Sequence, residues 1–281
     1  FDFDTELVHF LPDVNPYCRP NGMSTQEWCD AKITDLQTAI SELGADKIGA
    51  FIAEPILSSG GVIVPAAGYQ KRTWEICREN DILYISDEVV TGFGRLGHWF
   101  ASEAVFDFVP DIITCAKGLT SGYLPLGACI ISDRVMEILS QGEEPSAFTN
   151  GYTYSGHPVS CVAALKNIEI IENEQILENV RNVTPHFQRR LKELMKYDIV
   201  GDARGMGLLG CIECQADDLE AERSLGSRVD EACEELGLIV RPLINMAVFS
   251  PPLIITLEQI DEMFDILEAA LLKVQNELKL N

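Results

Sequence analysis

Positive charge, long apolar runs and paired metal ligands are what this chain has least of. Its 281 residues include 21 lysines and arginines against 44 aspartates and glutamates, which gives a formal net charge of −23. So acidic a chain repels a phosphate backbone, and we expect no nucleic-acid partner. No apolar stretch approaches the roughly 20 residues of a membrane-spanning helix, so we expect no membrane partner. The four histidines lie far apart in sequence, which argues against a metal site.

Cysteine pairs are also lacking, because the nine cysteines are scattered and form no C-x-x-C motif. Several lie in apolar or helical patterns, as Cys77, Cys161 and Cys233 do. This usage is typical of buried free thiols in a reducing compartment, and it predicts a cytoplasmic location. The chain begins at Phe1, in a stretch that reads as the middle of a protein. We expect a fragment whose upstream part is missing, with a trimmed start as the alternative.

Short apolar runs alternate with helical patterns in the first half of the chain. A capping box of Ser24 and Glu27 opens the first predicted helix, and Gly44 closes it. The predicted strands are 50–53, 82–85, 112–116 and 126–131, and the helices between them cover 66–80 and 98–107. This alternation predicts an α/β fold with a doubly wound, mainly parallel sheet.

The pattern changes near Pro158. We expect one long helical region from there to about Tyr197, and then a smaller α+β domain. Its predicted parts are a glycine-rich turn over 201–207, an apolar run over 208–212, a helix over 219–236, a strand over 238–240 and a last helix to Leu280. Thr256 and Gln259 form a second capping box at the start of that last helix.

Three polar side chains follow the first three predicted strands. Glu54, Asp87 and Lys117 each come at or just after the end of one apolar run. The carboxyl ends of parallel strands meet at one edge of the sheet, which is where ligands bind in open α/β folds. An amine and a carboxylate at such an edge suit Schiff-base chemistry with pyridoxal phosphate. The sequence therefore predicts a cofactor site there.

Three longer segments carry a resemblance to a known family. The segments Asp87–Arg95 (DEVVTGFGR), Ala116–Ala128 (AKGLTSGYLPLGA) and Tyr152–Pro158 (YTYSGHP) resemble, in this order, the class III aminotransferases. The similarity runs from near residue 8 to the C-terminus. The resemblance implies fold type I and pyridoxal phosphate as cofactor. It also implies a homodimer with shared active sites.

The resemblance divides the chain into two parts and assigns it a reaction. Residues 1–157 correspond to a partial cofactor-binding large domain, and residues 158–281 to a connecting helix and a small C-terminal domain. The implied reaction moves an amino group from an amine or ω-amino donor to a keto acid such as pyruvate. A decarboxylase or aminomutase on the same fold, or a truncated non-catalytic remnant, are the alternatives. The sequence does not name the donor or the preferred keto acid.

The resemblance also implies roles for four residues near the cofactor. Lys117 resembles the Schiff-base lysine that also carries the proton, and Asp87 the carboxylate that pairs with the pyridine nitrogen. Val89 corresponds to an apolar residue against the ring face, and Thr153 to a threonine that reaches the phosphate of the neighbouring subunit's cofactor. The alternatives are a surface lysine, a turn aspartate, a core valine and a turn threonine.

Arg241 is the candidate for substrate recognition. Its distance from Pro251–Pro252 resembles the mobile arginine of the ω-amine:pyruvate branch, since a guanidinium binds a carboxylate in bidentate fashion. The ornithine and γ-aminobutyrate branch has a fixed arginine at the position of Val248. Glu54 resembles a glutamate near the substrate, with a structural salt bridge as the alternative, and we interpret Arg204 as mainly structural. A surface salt bridge is the alternative for Arg241.

The family's phosphate-binding loop and stacking aromatic residue have no counterpart in residues 1–281. Phosphate groups are normally bound by several backbone N–H donors at a helix N-terminus, whereas Thr153 offers one hydroxyl. We therefore expect this chain alone to bind the cofactor weakly and to be inactive.

Overall fold

A computed structural model describes residues 4–141 and 151–280 of the chain. Two four-stranded sheets organise these residues. The first sheet lies in the first half of the described sequence and the second in the last third, with three α-helices of the described residues between them. The predicted domain boundary at residues 157 and 158 stays a prediction.

The first sheet has the order β1-β2-β3-β4. Its strands are β1 (Ala50–Ala53), β2 (Leu83–Asp87), β3 (Ile112–Cys115) and β4 (Ala128–Ile131). The first three strands are parallel, which confirms the mainly parallel α/β sheet. The fourth strand pairs antiparallel with β3. The connection between β3 and β4 contains a short 3₁₀ turn and no crossover helix. A parallel pair needs such a crossover, so β4 runs antiparallel to β3.

Four helices accompany this sheet, and one prediction about them is wrong. They are α1 (Thr25–Leu43), α2 (Tyr69–Glu79), α3 (Ala101–Ala104) and α4 (Asp133–Leu139). The capping box before α1 is confirmed, since Ser24 and Glu27 bond reciprocally and Gly44 ends the helix. The helix expected over 98–107 is reduced to one turn, α3. A backbone reversal from Phe93 to Trp99 precedes it, and Asp107 ends it with a φ of 57°.

The second sheet is antiparallel and has the order β5-β6-β8-β7. Its strands are β5 (Val200–Met206), β6 (Leu209–Cys214), β7 (Arg241–Leu243) and β8 (Met246–Phe249). The glycine-rich turn expected over 201–207 is instead strand β5, with a turn only at Gly207. Gly205 allows a close approach of the paired strand, because a Cβ atom there would lie 2.2 Å from the Leu209 carbonyl oxygen.

The strand expected over 238–240 is also wrong, since β7 begins at Arg241. Leu238 donates its N–H to the Cys233 carbonyl, and Gly237, with a φ of 90°, donates to Glu234. These two bonds are the Schellman ending of the preceding helix, so Leu238 belongs to the helix terminus.

Four helices cover the second sheet and lead to it. They are α5 (Pro158–Asn173), α6 (Ile176–Glu193), α7 (Leu219–Glu235) and α8 (Leu257–Leu280). The single long helical region expected from Pro158 is two helices, because Gln175 adopts a φ of 53° between them. The second capping box is confirmed by the reciprocal bonds of Thr256 and Gln259. Within 4–141 and 151–280, no helix is both long and apolar enough to cross a membrane.

The two sheets meet at the carboxyl end of the first one. Leu209 and Val248 from the second sheet belong to one buried cluster with Ile56, Val62 and Leu96 from loops of the first. The second sheet also has its own larger core against α6, α7 and α8, which includes Phe187, Ile212 and Phe264. This contact brings β7 and β8 over the edge where the predicted polar side chains lie.

Candidate active site

Glu54, Asp87 and Lys117 lie together at the carboxyl edge of the first sheet. In the parallel register Ala53 pairs with Ser86, and Asp87 with Thr114. Burial raises the pKa of Glu54, a hydrogen bond from the Ser58 N–H lowers it, the Asp87 charge raises it and the Lys117 charge lowers it. The expected clustering at one edge is therefore confirmed, while the role of each residue stays a prediction.

Lys117 combines an exposed side chain with a constrained backbone. Its φ is 33°, and such a conformation costs a non-glycine residue about 1–3 kcal/mol. Its amine makes no hydrogen bond or ion pair with the residues that the structure describes. The neighbouring Gly118 packs closely, because a Cβ atom there would lie 2.8 Å from the Phe93 Cβ. A rigid turn therefore presents a free amine.

Asn167 of α5 stabilises this turn, and the sequence analysis missed it. Its Nδ2 donates to the carbonyls of Gly118 at 2.8 Å and Leu119 at 3.2 Å. Its Oδ1 accepts from the Ser121 hydroxyl at 2.7 Å. An asparagine inside a helix is the signal that could have been used, since asparagine favours caps and turns over helix interiors.

Asp87 ends β2 with one carboxylate oxygen engaged. Its Oδ1 accepts from the Val89 N–H at 3.1 Å, and Oδ2 has no hydrogen bond within the described residues. Thr114 pairs with Asp87 and so lies on the same sheet face. The buried Thr114 hydroxyl has no partner among the described residues. Oδ2 of Asp87 can therefore accept a further hydrogen bond, and the Thr114 hydroxyl on the same sheet face can donate or accept one.

Val89 lies beyond the end of the strand. The strand ends at Asp87, and Val89 lies in the turn that follows. Strand alternation therefore does not determine the direction of its half-buried side chain. Its predicted contact with a cofactor ring stays a prediction.

Glu88 is a second residue that the sequence analysis missed. It is fully buried, and its carboxylate accepts four hydrogen bonds. The donors are the N–H groups of Ala101 and Ser102 and the hydroxyls of Ser102 and Thr91, at 2.6 to 3.1 Å. These bonds tie the turn after Asp87 to the start of α3. The signal was the second carboxylate of the Asp87–Glu88 pair.

Gln70 and Tyr84 determine the course of the chain at Glu54. The Gln70 side chain donates to the carbonyls of Glu54 at 2.9 Å and Pro55 at 3.0 Å. The Tyr84 hydroxyl donates to Gln70 Oε1 at 2.6 Å, and both side chains are buried. The edge of the sheet is thus fixed by a satisfied polar network that periodicity alone does not reveal.

A cavity of about 270 Å³ opens between the two sheets. Its lining includes three cationic side chains and three serines, which are Arg95, Lys117, Arg241, Ser58, Ser59 and Ser250. No aspartate or glutamate of the described residues lines it, although the chain has 44 of them. Such a lining suits an anionic ligand.

Arg241 reaches this cavity from β7. It pairs directly with Val248 of β8, and both residues line the cavity. Arg241 is exposed and makes no hydrogen bond or ion pair with the described part of the chain. Its guanidinium is therefore available for a ligand carboxylate.

Two other predicted residues lie outside the cavity lining. Thr153 is exposed in a loop where the Tyr152 N–H donates to the Ser155 hydroxyl at 2.9 Å. Its predicted partner belongs to another subunit, so its role stays a prediction. Arg204 is buried and pairs with Asp202 at 3.0 Å and Glu213 at 2.6 Å, in keeping with a structural role.

The fold is that of the pyridoxal-phosphate-dependent transferases of fold type I, and comparisons with known proteins show the family. The model of the family "Aminotransferase class-III" matches residues 3–271, so the chain belongs to this family. It is 42% identical to the putrescine–pyruvate aminotransferase of Pseudomonas aeruginosa over 92% of the chain and 56% of that protein. It is 38% identical to γ-aminobutyrate transaminase 3 of Solanum lycopersicum over 94% of the chain and 51% of that protein.

A solved structure extends the likeness to the cofactor-bound state. A pyridoxal-phosphate-bound aminotransferase mutant from Vibrio fluvialis superposes with a TM-score of 0.86 at 37% identity, over 95% of this chain and 60% of that one. The chain thus spans between about half and three fifths of the length of these relatives. Pyridoxal phosphate is the cofactor of this family.

The residues present fit part of this cofactor. A lysine, a carboxylate oxygen and a threonine hydroxyl, none of them with a partner among the described residues, lie at one sheet edge. These are groups that suit an aldehyde, a ring nitrogen and a polar substituent. The expected gap at the phosphate was inferred from the sequence and stays a prediction.

Proposed function

We propose that this chain supplies the catalytic lysine and a substrate-binding arginine of a pyridoxal-phosphate-dependent transaminase. The reaction moves an amino group from an amine or ω-amino donor to a keto acid such as pyruvate. The observation that supports this most is that Lys117 and Arg241, from different sheets, line one cavity. Family membership supports the same reaction type.

In this proposal Lys117, Asp87 and Val89 hold the cofactor, and Thr153 contacts the cofactor of a neighbouring subunit. Pyridoxal phosphate supplies an electron sink that makes a substrate C–H bond acidic. The Asp87 carboxylate stabilises a proton on the ring nitrogen by charge pairing. The Lys117 Nζ would remove the proton from the substrate carbon as general base and, as general acid, deliver it to the aldehyde-derived carbon of the cofactor. Glu54 lies close enough to Asp87 and Lys117 for both charges to shift its pKa, and in this proposal it borders the substrate.

Arg241 provides dual recognition in this scheme. Its guanidinium binds the keto-acid carboxylate through two parallel hydrogen bonds. When an amine donor without a carboxylate enters, the side chain turns to solvent, which its exposure and lack of partners favour. The relative from Pseudomonas aeruginosa is named for a diamine and a keto acid, which supports the same pairing of substrates.

We also propose a cytoplasmic homodimer with shared active sites. Helix α5 follows Thr153 and carries exposed apolar side chains, with Val159 59%, Val162 64% and Leu165 67% exposed. A continuous apolar helix face is typical of a subunit interface. All nine cysteines are free, which supports a reducing compartment.

Two alternatives are distinguished by chemistry. A decarboxylase or aminomutase on this fold would not need a keto acid to complete its cycle, and a non-catalytic remnant would not form a cofactor link. Arg241 at the cavity favours the transaminase because it provides a binding group for the keto acid.

The test is to reduce the cofactor-loaded protein with borohydride and map the modified peptide. We expect the modification on Lys117, and we expect Lys117→Ala to abolish it. Lys166→Ala is the matched control, because Lys166 is an exposed lysine that pairs only with Glu169 on α5. A modification on any other lysine would contradict the assignment.

A further inference from the structure

Arg95 links the two sheets at the wall of the cavity. It lies in the backbone reversal between Phe93 and Trp99, at the carboxyl edge of the first sheet. Its guanidinium Nη1 donates to the carbonyls of Leu208 at 3.1 Å and Pro251 at 2.6 Å. Its own carbonyl accepts from the Leu208 N–H at 3.0 Å. Three hydrogen bonds therefore connect this one residue to the second sheet.

The charge of Arg95 is directed at neutral carbonyls. No carboxylate among the described residues pairs with it, and burial lowers its pKa to about 10. It therefore remains a cation at neutral pH. Hydrogen bonds from a charged donor are roughly twice as strong as neutral ones and more demanding in direction. Arg95 thus fixes the position of both carbonyls.

The turn between β5 and β6, which faces Arg95, has a glycine where the two backbones meet. Gly207 forms the turn between β5 and β6 with a φ of 59°. A Cβ atom at Gly207 would lie 2.5 Å from the Arg95 carbonyl oxygen and 2.7 Å from the Leu96 Cα. Only glycine allows the two backbones to approach this closely.

The Pro251 carbonyl lies just beyond β8, and β8 pairs with β7 at Arg241. The Lys117 turn packs against Phe93 at the other end of the same reversal. Arg95 thus lies between the segment that carries the lysine and the hairpin that carries the second arginine. All three cations line the same cavity.

We propose that Arg95 is a positioning residue that fixes the β7–β8 hairpin, and with it Arg241, against the Lys117 turn. In this role it sets the distance between the reacting amine and the group that binds the substrate carboxylate. The proposal rests on the proposed function of Arg241. It predicts that Arg95 controls the use of carboxylate substrates without touching them.

The experiment compares Arg95→Met and Arg95→Lys with the matched control Arg181→Met. Arg181 of α6 also donates to a backbone carbonyl of this loop, that of Gly97 at 2.5 Å, but does not line the cavity. Methionine removes both charged bonds with little change in length. Lysine keeps the charge but lacks the guanidinium fork.

The first readout is amide hydrogen exchange, which needs no activity. We expect Arg95→Met to accelerate exchange at Leu208 and across 241–249 roughly ten- to hundred-fold, the range for losing one hydrogen bond to a charged group. Arg95→Lys should give a smaller acceleration, and Arg181→Met should leave these amides unchanged. Unchanged exchange in Arg95→Met would overturn the proposal whether or not the protein transaminates.

The second readout is steady-state kinetics, measured on cofactor-loaded protein of the relatives' full length, of which this chain spans just over half. We expect Arg95→Met to raise the KM for pyruvate about tenfold or more while the KM for an amine donor without a carboxylate changes less than about twofold. Arg95→Lys should restore part of the pyruvate affinity. Equal loss with both substrates, alongside faster exchange, would reduce Arg95 to a structural contact and overturn the proposal. If Arg95→Met does not fold, Arg95→Lys decides by the same two measurements.

Discussion

Asn167 provides the most direct test of how the lysine turn is stabilised. Substitution of Asn167 by alanine removes two donors to the Gly118 and Leu119 carbonyls and one acceptor for Ser121. Each such bond contributes about 0.5–1.5 kcal/mol net. Alanine also favours the helix by up to about 0.7 kcal/mol, which offsets part of the loss. We therefore expect the turn around Lys117 to be destabilised by about 1–4 kcal/mol.

The expected effect is local, because these bonds link the turn to one helix and no core side chain is removed. We expect the fraction of cofactor that borohydride links to Lys117 to fall by about five- to several-hundred-fold at limiting cofactor, which corresponds to about 1–4 kcal/mol. Peptide mapping with isotopically labelled borohydride measures it. The free energy of unfolding, measured in urea, should change by less than the free energy of forming the cofactor link at Lys117.

Asn179→Ala is the matched control for this experiment. Asn179 of α6 also donates to two carbonyls, those of Leu253 at 2.8 Å and Ile255 at 3.3 Å. Its loss should destabilise the protein to a similar degree without reducing the linkage at Lys117. If both variants reduce the linkage equally, or if Asn167→Ala leaves it unchanged, the assigned role of Asn167 is wrong.

Three further substitutions test the remaining groups at the site. Asp87→Asn should lower turnover more than tenfold with little change in substrate binding, because it removes a charge from a sheltered pair; steady-state kinetics measure it. Arg241→Ala should impair the half-reaction with pyruvate and spare that with an amine lacking a carboxylate, which stopped-flow absorbance distinguishes. Glu54→Gln should stabilise the protein at neutral pH, because burial raises the pKa of Glu54 and so penalises its charged form. Since the folded state binds the proton more tightly, this gain should shrink as the pH falls through the folded pKa and vanish below the unfolded pKa near 4.5, as followed by urea unfolding.

The parallel strands were predictable because their signal is local. Apolar runs of four or five residues ending in Glu54, Asp87 and Lys117 indicate buried strands, and parallel pairing then brings their ends together. The two capping boxes were predictable for the same reason, since the Ser24–Glu27 and Thr256–Gln259 spacings alone specify the reciprocal bonds.

The failures have a different cause, which is contact between distant segments. Glycines at 201–207 indicated a turn, yet most of this segment is strand β5. A glycine is needed at position 205 because the backbone of β6 lies too close for a Cβ atom. The apolar run at 238–240 indicated a strand, yet the bond from Leu238 to Cys233 assigns it to a helix end. Asn167, Glu88 and Gln70 were missed because each has partners 13 to 49 residues away. Periodicity does not encode such pairs.

The register of β7 and β8 brings together the two positions at which the resemblance expects a substrate-binding arginine. Arg241 and Val248 are direct partners in the antiparallel ladder, and both line the cavity. The sequence comparison placed the arginine of one branch at position 241 and the fixed arginine of the other at position 248. In the folded chain these two positions lie opposite each other, so a guanidinium from either strand reaches the same space. At 241 it lies on β7, the edge strand, where it is exposed and has no partner in the part of the chain that the structure describes, whereas the side chain at 248 is buried on the inner strand β8. An arginine at the edge is free to leave the cavity for solvent, and one on the inner strand is not. In the proposed function, carboxylate selectivity therefore depends on which strand of this hairpin carries the charge.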